Sequence, residues 1–280
     1  MFRVNIKPTT FDIFDFQENQ NNYIHSHTRV NKKKALQQHA KMVSTLTNAL
    51  TYTIHQPTVL LPDIVFIANG GICLPRLPRT ILLPSMKYLQ RQAELPFLIQ
   101  IYKDLGLTMI PPMKEVFEGQ AELKWFAGGT KAIGGYGFRS TKKSFDALKK
   151  LLKKVYEGAG LQPPEILAVP LESSDYYHLD VAMLELGDRC IVHKRAFSAA
   201  SIKKMRDFLG GGVGGVSVID VADSFCLNSL IDGDTLITHT LDAAVKKLLE
   251  ELTGKTVQQV DTSEFEKSGG SIRCMNLDVF

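Results

Sequence analysis

Five side chains able to do chemistry stand at comparable places along this sequence: Asp63 in PDIVF, Glu118 in FEGQ, His178 and Asp180 in YYHLD, and Cys274 in the closing run KSGGSIRCMNLDVF. The thiol is the strongest nucleophile of the set. Its ordinary pKa of about 8.5 leaves only a few per cent ionised near neutrality, so it needs a cation beside it to react. A protonated His178 or a cationic substrate would supply one. Taken singly, each residue has a plainer reading. Cys274 reads as a buried thiol in a terminal strand, Asp63 and Glu118 as turn or cap residues, and His178 as one of seven histidines in ordinary hydrogen bonds. They form a site only if the fold brings them together.

The elements that would do so show as five apolar stripes at helical spacing. Leu36, Ala40, Val43, Leu46 and Leu50 make the first. Leu98, Ile101, Tyr102 and Leu105 make the second, starting near Pro96, a good first-turn residue. Phe145, Leu148, Leu152, Val155 and Tyr156 make the third, Ile202, Met205, Phe208 and Leu209 the fourth, and Leu241, Val245, Leu248, Leu249 and Leu252 the fifth. Gly106, Gly158, Gly210 and Gly254 follow four of the five, where a left-handed C-terminal cap belongs. After each helix comes a β-favouring run, then a pair of apolar or alternating segments around a turn, such as Gly187-Asp188 and Asp232-Gly233-Asp234. The last unit, VQQVDTSEF then SIRCMNLDVF, ends one strand short, and MFRVNIKP at the other end supplies a spare strand.

This order repeats about every 50 to 60 residues. A doubly wound parallel sheet also alternates strands and helices. The hairpin in every unit, and the need for the first strand to complete the last unit, favour a ring. The expectation is therefore an α/β fold, a five-bladed pseudosymmetric propeller closed by the N- and C-terminal strands, with residues 1–280 forming a single catalytic domain of five ββαβ-type repeats. Equivalent positions of a ring converge on its axis, which would gather Asp63, Glu118, His178, Asp180 and Cys274. One acid suffices to orient a Cys/His pair. Surplus carboxylates imply a cationic substrate held by bidentate hydrogen bonds, which suits a planar guanidinium, whose carbon a thiolate would attack.

The run FEG at 117–119, HLD at 178–180 and GGSIRCM at 269–275, together with PDIVFIAN at 62–69, resembles the guanidino-group-modifying enzymes, the pentein superfamily of dimethylarginine dimethylaminohydrolases, arginine deiminases and arginine amidinotransferases. The resemblance implies the same five-fold ββαβ propeller. It implies that Cys274 attacks the guanidinium carbon to form a covalent thiouronium and that His178 is the general acid and base. It further implies that Glu118 holds a guanidinium nitrogen and supports His178, that Asp63 and Asp180 are the other guanidinium clamps, and that Arg91 and Arg139 bind the substrate α-carboxylate. Without it, either arginine reads as a surface residue, although the glycines before Arg139 suggest a loop near a ligand. Dimethylargininases carry an acidic pair where this chain has Ala68-Asn69, so Asn69 is expected to give one neutral recognition contact. Glu122 is spaced differently from the second acid of the deiminases' EGGD. Cys226 and Asn228 hold the comparable station of the fourth blade and read as pocket lining. The expected reaction is hydrolysis of free arginine or a methylated arginine to citrulline. The alternatives are amidino transfer to an amine acceptor and a binding module that has kept the ring.

Composition agrees with an ordinary globular enzyme: 280 residues, 44% hydrophobic, 22% charged, net charge +4. The basic residues are scattered or lie on helices, which argues against nucleic acid or membrane as a partner and leaves a small guanidino molecule. Four widely spaced cysteines with no CxxC pair, and no apolar leader or long apolar run, lead to the expectation of reduced thiols in a soluble cytoplasmic protein. No cofactor and no metal is expected, since one cysteine and one histidine at no metal-ligand spacing make no ion site.

Overall fold

The computed structural model describes residues 1–25, 27–55, 57–210 and 215–280. Among these, the strands form five three-stranded sheets. In each, an antiparallel pair, a hairpin in four of the five, is followed by a helix and a third strand parallel to the second, the ββαβ order. Blade one is Ile72–Cys73, Thr80–Leu82 and Thr108–Ile110. Blade two is Leu123–Phe126, Lys131–Tyr136 and Glu165–Pro170. Blade three is Met183–Leu186, Arg189–His193 and Val216–Ile219, and blade four is Leu230–Asp232, Thr235–Thr238 and Thr256–Gln259. Blade five joins the two ends of the chain. Leu277–Val279 pairs antiparallel with Phe2–Ile6 in the register Phe2↔Val279 and Val4↔Leu277, and Phe2–Ile6 pairs in parallel with Ala49–Tyr52.

The crossover helices are Leu95–Asp104, Lys142–Gly158, Ala199–Phe208, Ala243–Thr253 and, in blade five, Lys32–Val43. Thr141, Ser198, Asp242 and Asn31 cap four of them, each accepting from a backbone N–H of the first turn, and Pro96 opens the remaining one. Four of the helices bury most of the stripe read from the sequence, as Lys142–Gly158 does with Phe145, Leu148, Leu152 and Tyr156. Lys32–Val43 instead turns a neighbouring face inward, burying Ala35, Gln38, His39 and Met42 while Leu36 and Val43 are half-buried and Ala40 is exposed. The apolar clusters lie between helices and sheets, so the helices take up the greasy faces and polar side chains are left to the junctions of the blades.

Three local expectations change. The first stripe stops at Val43, because the Ser44 and Thr45 hydroxyls bond back to the carbonyls of Lys41 and Met42, and Leu50 is drawn into the strand beside Val4. Gly158 lies inside its helix, and the left-handed residue is Gly160. Cys274 is in a turn ahead of its strand, which begins only at Leu277. The Gly269-Gly270 pair before it does permit close packing, since a Cβ at Gly270 would collide with the Phe66 ring. No helix among the described residues is long and apolar enough to cross a membrane.

Candidate active site

Every blade sends residues inward from the short segment that precedes its first strand. In blade one these are Asp63 in a turn and Asn69 on the 3-10 turn Ile67–Gly70; in blade two, Glu118 at the start of the turn Gly119–Ala121, with Glu122 just after it. In blade three they are His178 and Asp180, at and inside the helical turn Leu179–Ala182. Blade four gives Asn228, and blade five gives Cys274. Tight turns suit the task because they aim successive side chains at the axis before the pleated strand begins. Gly119, at φ 62, lets blades one and two meet there, for any Cβ would strike the Gly71 backbone.

Cys274, 3% exposed, points its Sγ at Asp180 Oδ2 at 3.2 Å and receives the Asn228 Nδ2 hydrogen at 3.1 Å. The first contact requires the thiol to carry its proton. Burial, and then the Asp180 charge, push this thiol well above the ordinary range. Asp180 Oδ1 is buried and has no hydrogen-bond partner among the described residues. Asp63 takes only neutral donors, Gln17 Nε2 at 2.8 Å and the Ser268 hydroxyl at 3.2 Å. Its burial raises its pKa in spite of Arg91 and Arg139 nearby.

Glu118 is fully buried and its Oε2 meets both Arg139 Nη1 at 3.0 Å and His178 Nε2 at 2.7 Å, while Oε1 accepts the Lys87 N–H. Burial works to raise its pKa, but the Arg139 charge and the His178 bond outweigh it and hold the carboxylate well below its usual range. Burial keeps His178 on the neutral side, with Glu118 pulling the other way. Asn69 Nδ2 lies 3.3 Å from the same Nε2, and its orientation is fixed because its Oδ1 accepts from Arg91 Nη1 at 2.9 Å. One ring nitrogen cannot donate to Glu118 and accept from Asn69 together. The Asn69 amide is therefore poised to donate once Nε2 has given its proton away. Glu122 accepts from the Glu118 and Ser140 backbone N–H groups, and burial beside the Glu118 charge pushes its pKa up to about 8.

The two arginines differ. Arg91 is bidentate to Glu94 at 2.9 Å and also bonds Asn69 and the Asp63 and Phe66 carbonyls, so its guanidinium is nearly consumed. Arg139 lies between the Tyr88 and Tyr177 rings, 4.8 Å from each centroid, and among the described residues its guanidinium bonds only Glu118 and the Gln20 carbonyl. It keeps free donors.

All eight residues selected from the sequence converge: Asp63, Asn69, Arg91, Arg139, His178 and Cys274 line one small cavity with Gln20, Asn21, Ile24, Tyr177 and Ser268, and Glu118 and Asp180 bond directly to that lining. Its volume, about 20 Å³, is below that of one amino acid, and the segment 20–24 lies against it. A separate cavity of about 600 Å³, whose lining includes Lys124, Trp125 and Arg273, contains none of the eight. Sequence reading missed Glu94, whose i, i+3 spacing from Arg91 was the one available signal, and Gln17, Ser268 and the covering segment, which carry none. It placed Asn228 at the right station without seeing that it touches the sulfur.

No family model matches this sequence. The chain is 26% identical over 254 residues to the bifunctional arginine dihydrolase/ornithine cyclodeaminase ArgZ of Synechocystis sp., covering 89% of this chain but 34% of that one. It is 26% identical over 229 residues to the dimethylarginine dimethylaminohydrolase of Mycobacterium tuberculosis, covering 80% and 68%. The solved N-terminal domain of ArgZ, bound to product, superposes with a TM-score of 0.84 over 99% of this chain and 97% of that one at 22% identity, and a substituted form of the domain is covalently bonded to a reaction intermediate. The chain thus spans about a third of the bifunctional relative. In fold and sequence the chain is similar to the guanidino-group-modifying, or pentein, enzymes, and its five sheets form the expected five-bladed ring. The relatives named are an arginine dihydrolase and a dimethylarginine dimethylaminohydrolase, so the similarity is to hydrolases.

Proposed function

We propose that residues 1–280 act as one catalytic domain that hydrolyses the guanidinium of free arginine or of a methylated arginine to citrulline, with Cys274 as nucleophile. The observation that carries this reading is the imbalance of charge around the sulfur. Arg91 is matched by Glu94 and Arg139 by Glu118, which leaves the carboxylates of Asp63 and Asp180, in the same site as Cys274, with no ion-pair partner among the described residues. A planar guanidinium fits that deficit, with the orphaned Asp180 Oδ1 as a ready acceptor.

The cation that lowers the thiol's proton affinity is then the substrate itself, since His178 is held neutral. The Sγ–C bond forms as the thiol proton leaves, and the C–N bond breaks as His178 protonates the departing nitrogen. The net movement is one proton from sulfur to the released ammonia or methylamine. His178 next takes a proton from water as its oxygen bonds the thiouronium carbon. The C–S bond breaks, one water proton returns to sulfur and the other is released, and citrulline is left. Glu118 supports the imidazolium while it exists, and Arg139, with donors to spare, holds the substrate carboxylate.

The deciding experiment incubates the protein with arginine, monomethylarginine and dimethylarginine, with and without glycine as an acceptor, and assays citrulline, ornithine and guanidinoacetate. Citrulline without acceptor supports the reading. Turnover that requires glycine, giving guanidinoacetate, would replace hydrolysis with amidino transfer. Ornithine is assayed because ArgZ is named an arginine dihydrolase.

A further inference from the structure

The fourth blade supplies no acid, base or nucleophile to the axis, yet its Asn228 is fully buried and makes more contacts with the Cys274 turn than any other side chain described. Asn228 Oδ1 accepts the Arg273 and Cys274 backbone N–H groups at 3.1 and 3.3 Å. Its Nδ2 donates to the Asp180 carbonyl at 3.1 Å and to Cys274 Sγ at 3.1 Å. Two acceptor and two donor positions are the whole capacity of an amide, and all are used. Its orientation is not open to exchange of O and N, for a flip would set Nδ2 against two N–H groups and Oδ1 against a carbonyl. The hydrogen facing the sulfur is therefore a donor's.

Two groups thus compete at one sulfur. Asp180 Oδ2 accepts from the thiol and opposes a charge there. Asn228 Nδ2 gives a weak bond to a neutral thiol and a strong one to a thiolate. An interaction that strengthens as charge develops accelerates the step that develops it. The sulfur carries charge twice, once as it attacks and again as it is expelled.

We propose that Asn228 is a catalytic residue of this site, its amide N–H holding the charge on the Cys274 sulfur at attack and at departure while its carbonyl fixes the Arg273–Cys274 turn that aims it. The assignment rests on Cys274 being the nucleophile, and it brings the fourth blade into the chemistry, so that all five blades contribute.

The test separates the two claims. Iodoacetamide alkylation of Cys274, followed by intact mass across pH 6 to 10, needs no turnover and no known substrate. Asn228→Asp keeps the size and the acceptor but turns the donor into a negative oxygen; Asn228→Ser is smaller and neutral, in case the new charge prevents folding, which circular dichroism reports. In either folded variant, alkylation at pH 8 is expected to slow about tenfold, and kcat on arginine to fall roughly 100-fold with KM changed less than about threefold. Unchanged alkylation profiles in folded variants would overturn the role of Asn228 even with the nucleophile intact. Activity that survives Cys274→Ala would instead overturn the reading beneath it.

Discussion

Glu118 Oε2 stands 2.7 Å from His178 Nε2, and the same oxygen takes the Arg139 guanidinium at 3.0 Å. One buried atom thus couples the proposed acid-base residue to the proposed carboxylate anchor. Burial lowers the proton affinity of His178, and the hydrogen bond to Glu118, followed by the Glu118 charge, opposes it. Removing that charge must move the imidazole further toward its neutral form. In Glu118→Gln, the His178 titration followed by NMR should shift to lower pH, and turnover should fall at least about 100-fold, the usual worth of general acid-base catalysis. A midpoint unmoved or raised would show that Glu118 does not support the charged ring.

The resting thiol is expected to be protonated, because it donates to Asp180 and lies in a buried site beside that charge. Its alkylation by iodoacetamide should be slow at pH 7 and rise steadily into the alkaline range. Guanidinium chloride at non-denaturing concentration should raise the rate at pH 7 by filling the place of the substrate cation. A thiol alkylated equally fast at pH 6 and pH 9 would mean that it is ionised by a protein group instead.

How far the sequence carries is seen at Cys274 and Asn228. Helical stripes such as Phe145 to Tyr156 are set by burial on one face, so their period shows in the letters, and the spare strand MFRVNIKP does pair with the tail. Cys274, His178 and Glu118 were legible because each is a chemically marked residue at a repeated station. Asn228 stood at the same station, but an amide has no nucleophilic or acid-base signature, and its proposed role rests on four hydrogen bonds that only the folded chain makes. The pairing of Arg91 with Glu94 was open to an i, i+3 reading, yet the sequence did not say that this pair is buried at the site.

Arg139 and Arg91 should separate on substitution. Arg139→Met removes a guanidinium with free donors, so the KM for arginine should rise by about two orders of magnitude, whereas for a guanidine without a carboxylate it should change far less. Arg91→Met strands the buried Glu94, and the expected cost is about 3 to 5 kcal/mol of stability in urea unfolding. Equal KM losses for both substrate types in Arg139→Met would remove its role as anchor.

Closure of the ring rests on a three-residue strand. Leu277 and Val279 are fully buried and pair with Val4 and Phe2. Leu277→Ala should cost about 2 to 5 kcal/mol, read as a lower urea midpoint. Because Cys274 lies three positions before this strand, ending the chain at Asn276 should lose activity and cooperative unfolding together. A truncated chain with an unchanged midpoint would show that the blade closes without its tail strand.

Stability should depend on pH through three histidines outside the site. Burial lowers His39 and His193 to about 4, whereas an unfolded histidine titrates near 6.5. Their contribution is fully present above about 6.5 and is lost as pH falls through about 4, because the unfolded chain then binds protons that the native one refuses. The ceiling is roughly 3 kcal/mol for each. His239 runs the other way. Burial opposes its charge, but an ion-pair contact with Asp223 at 2.9 Å and a hydrogen bond to Glu266 at 3.2 Å raise it to about 9. Its stabilisation is complete below about 6.5 and disappears as pH rises through about 9. Urea unfolding at pH 4.5, 6.5 and 9.5 checks both signs: relative to the parent, His39→Gln should lose less stability between 6.5 and 4.5, and His239→Gln should lose less between 6.5 and 9.5. If His239→Gln left the alkaline slope unchanged, its two carboxylates would not be holding a charged ring in the native state.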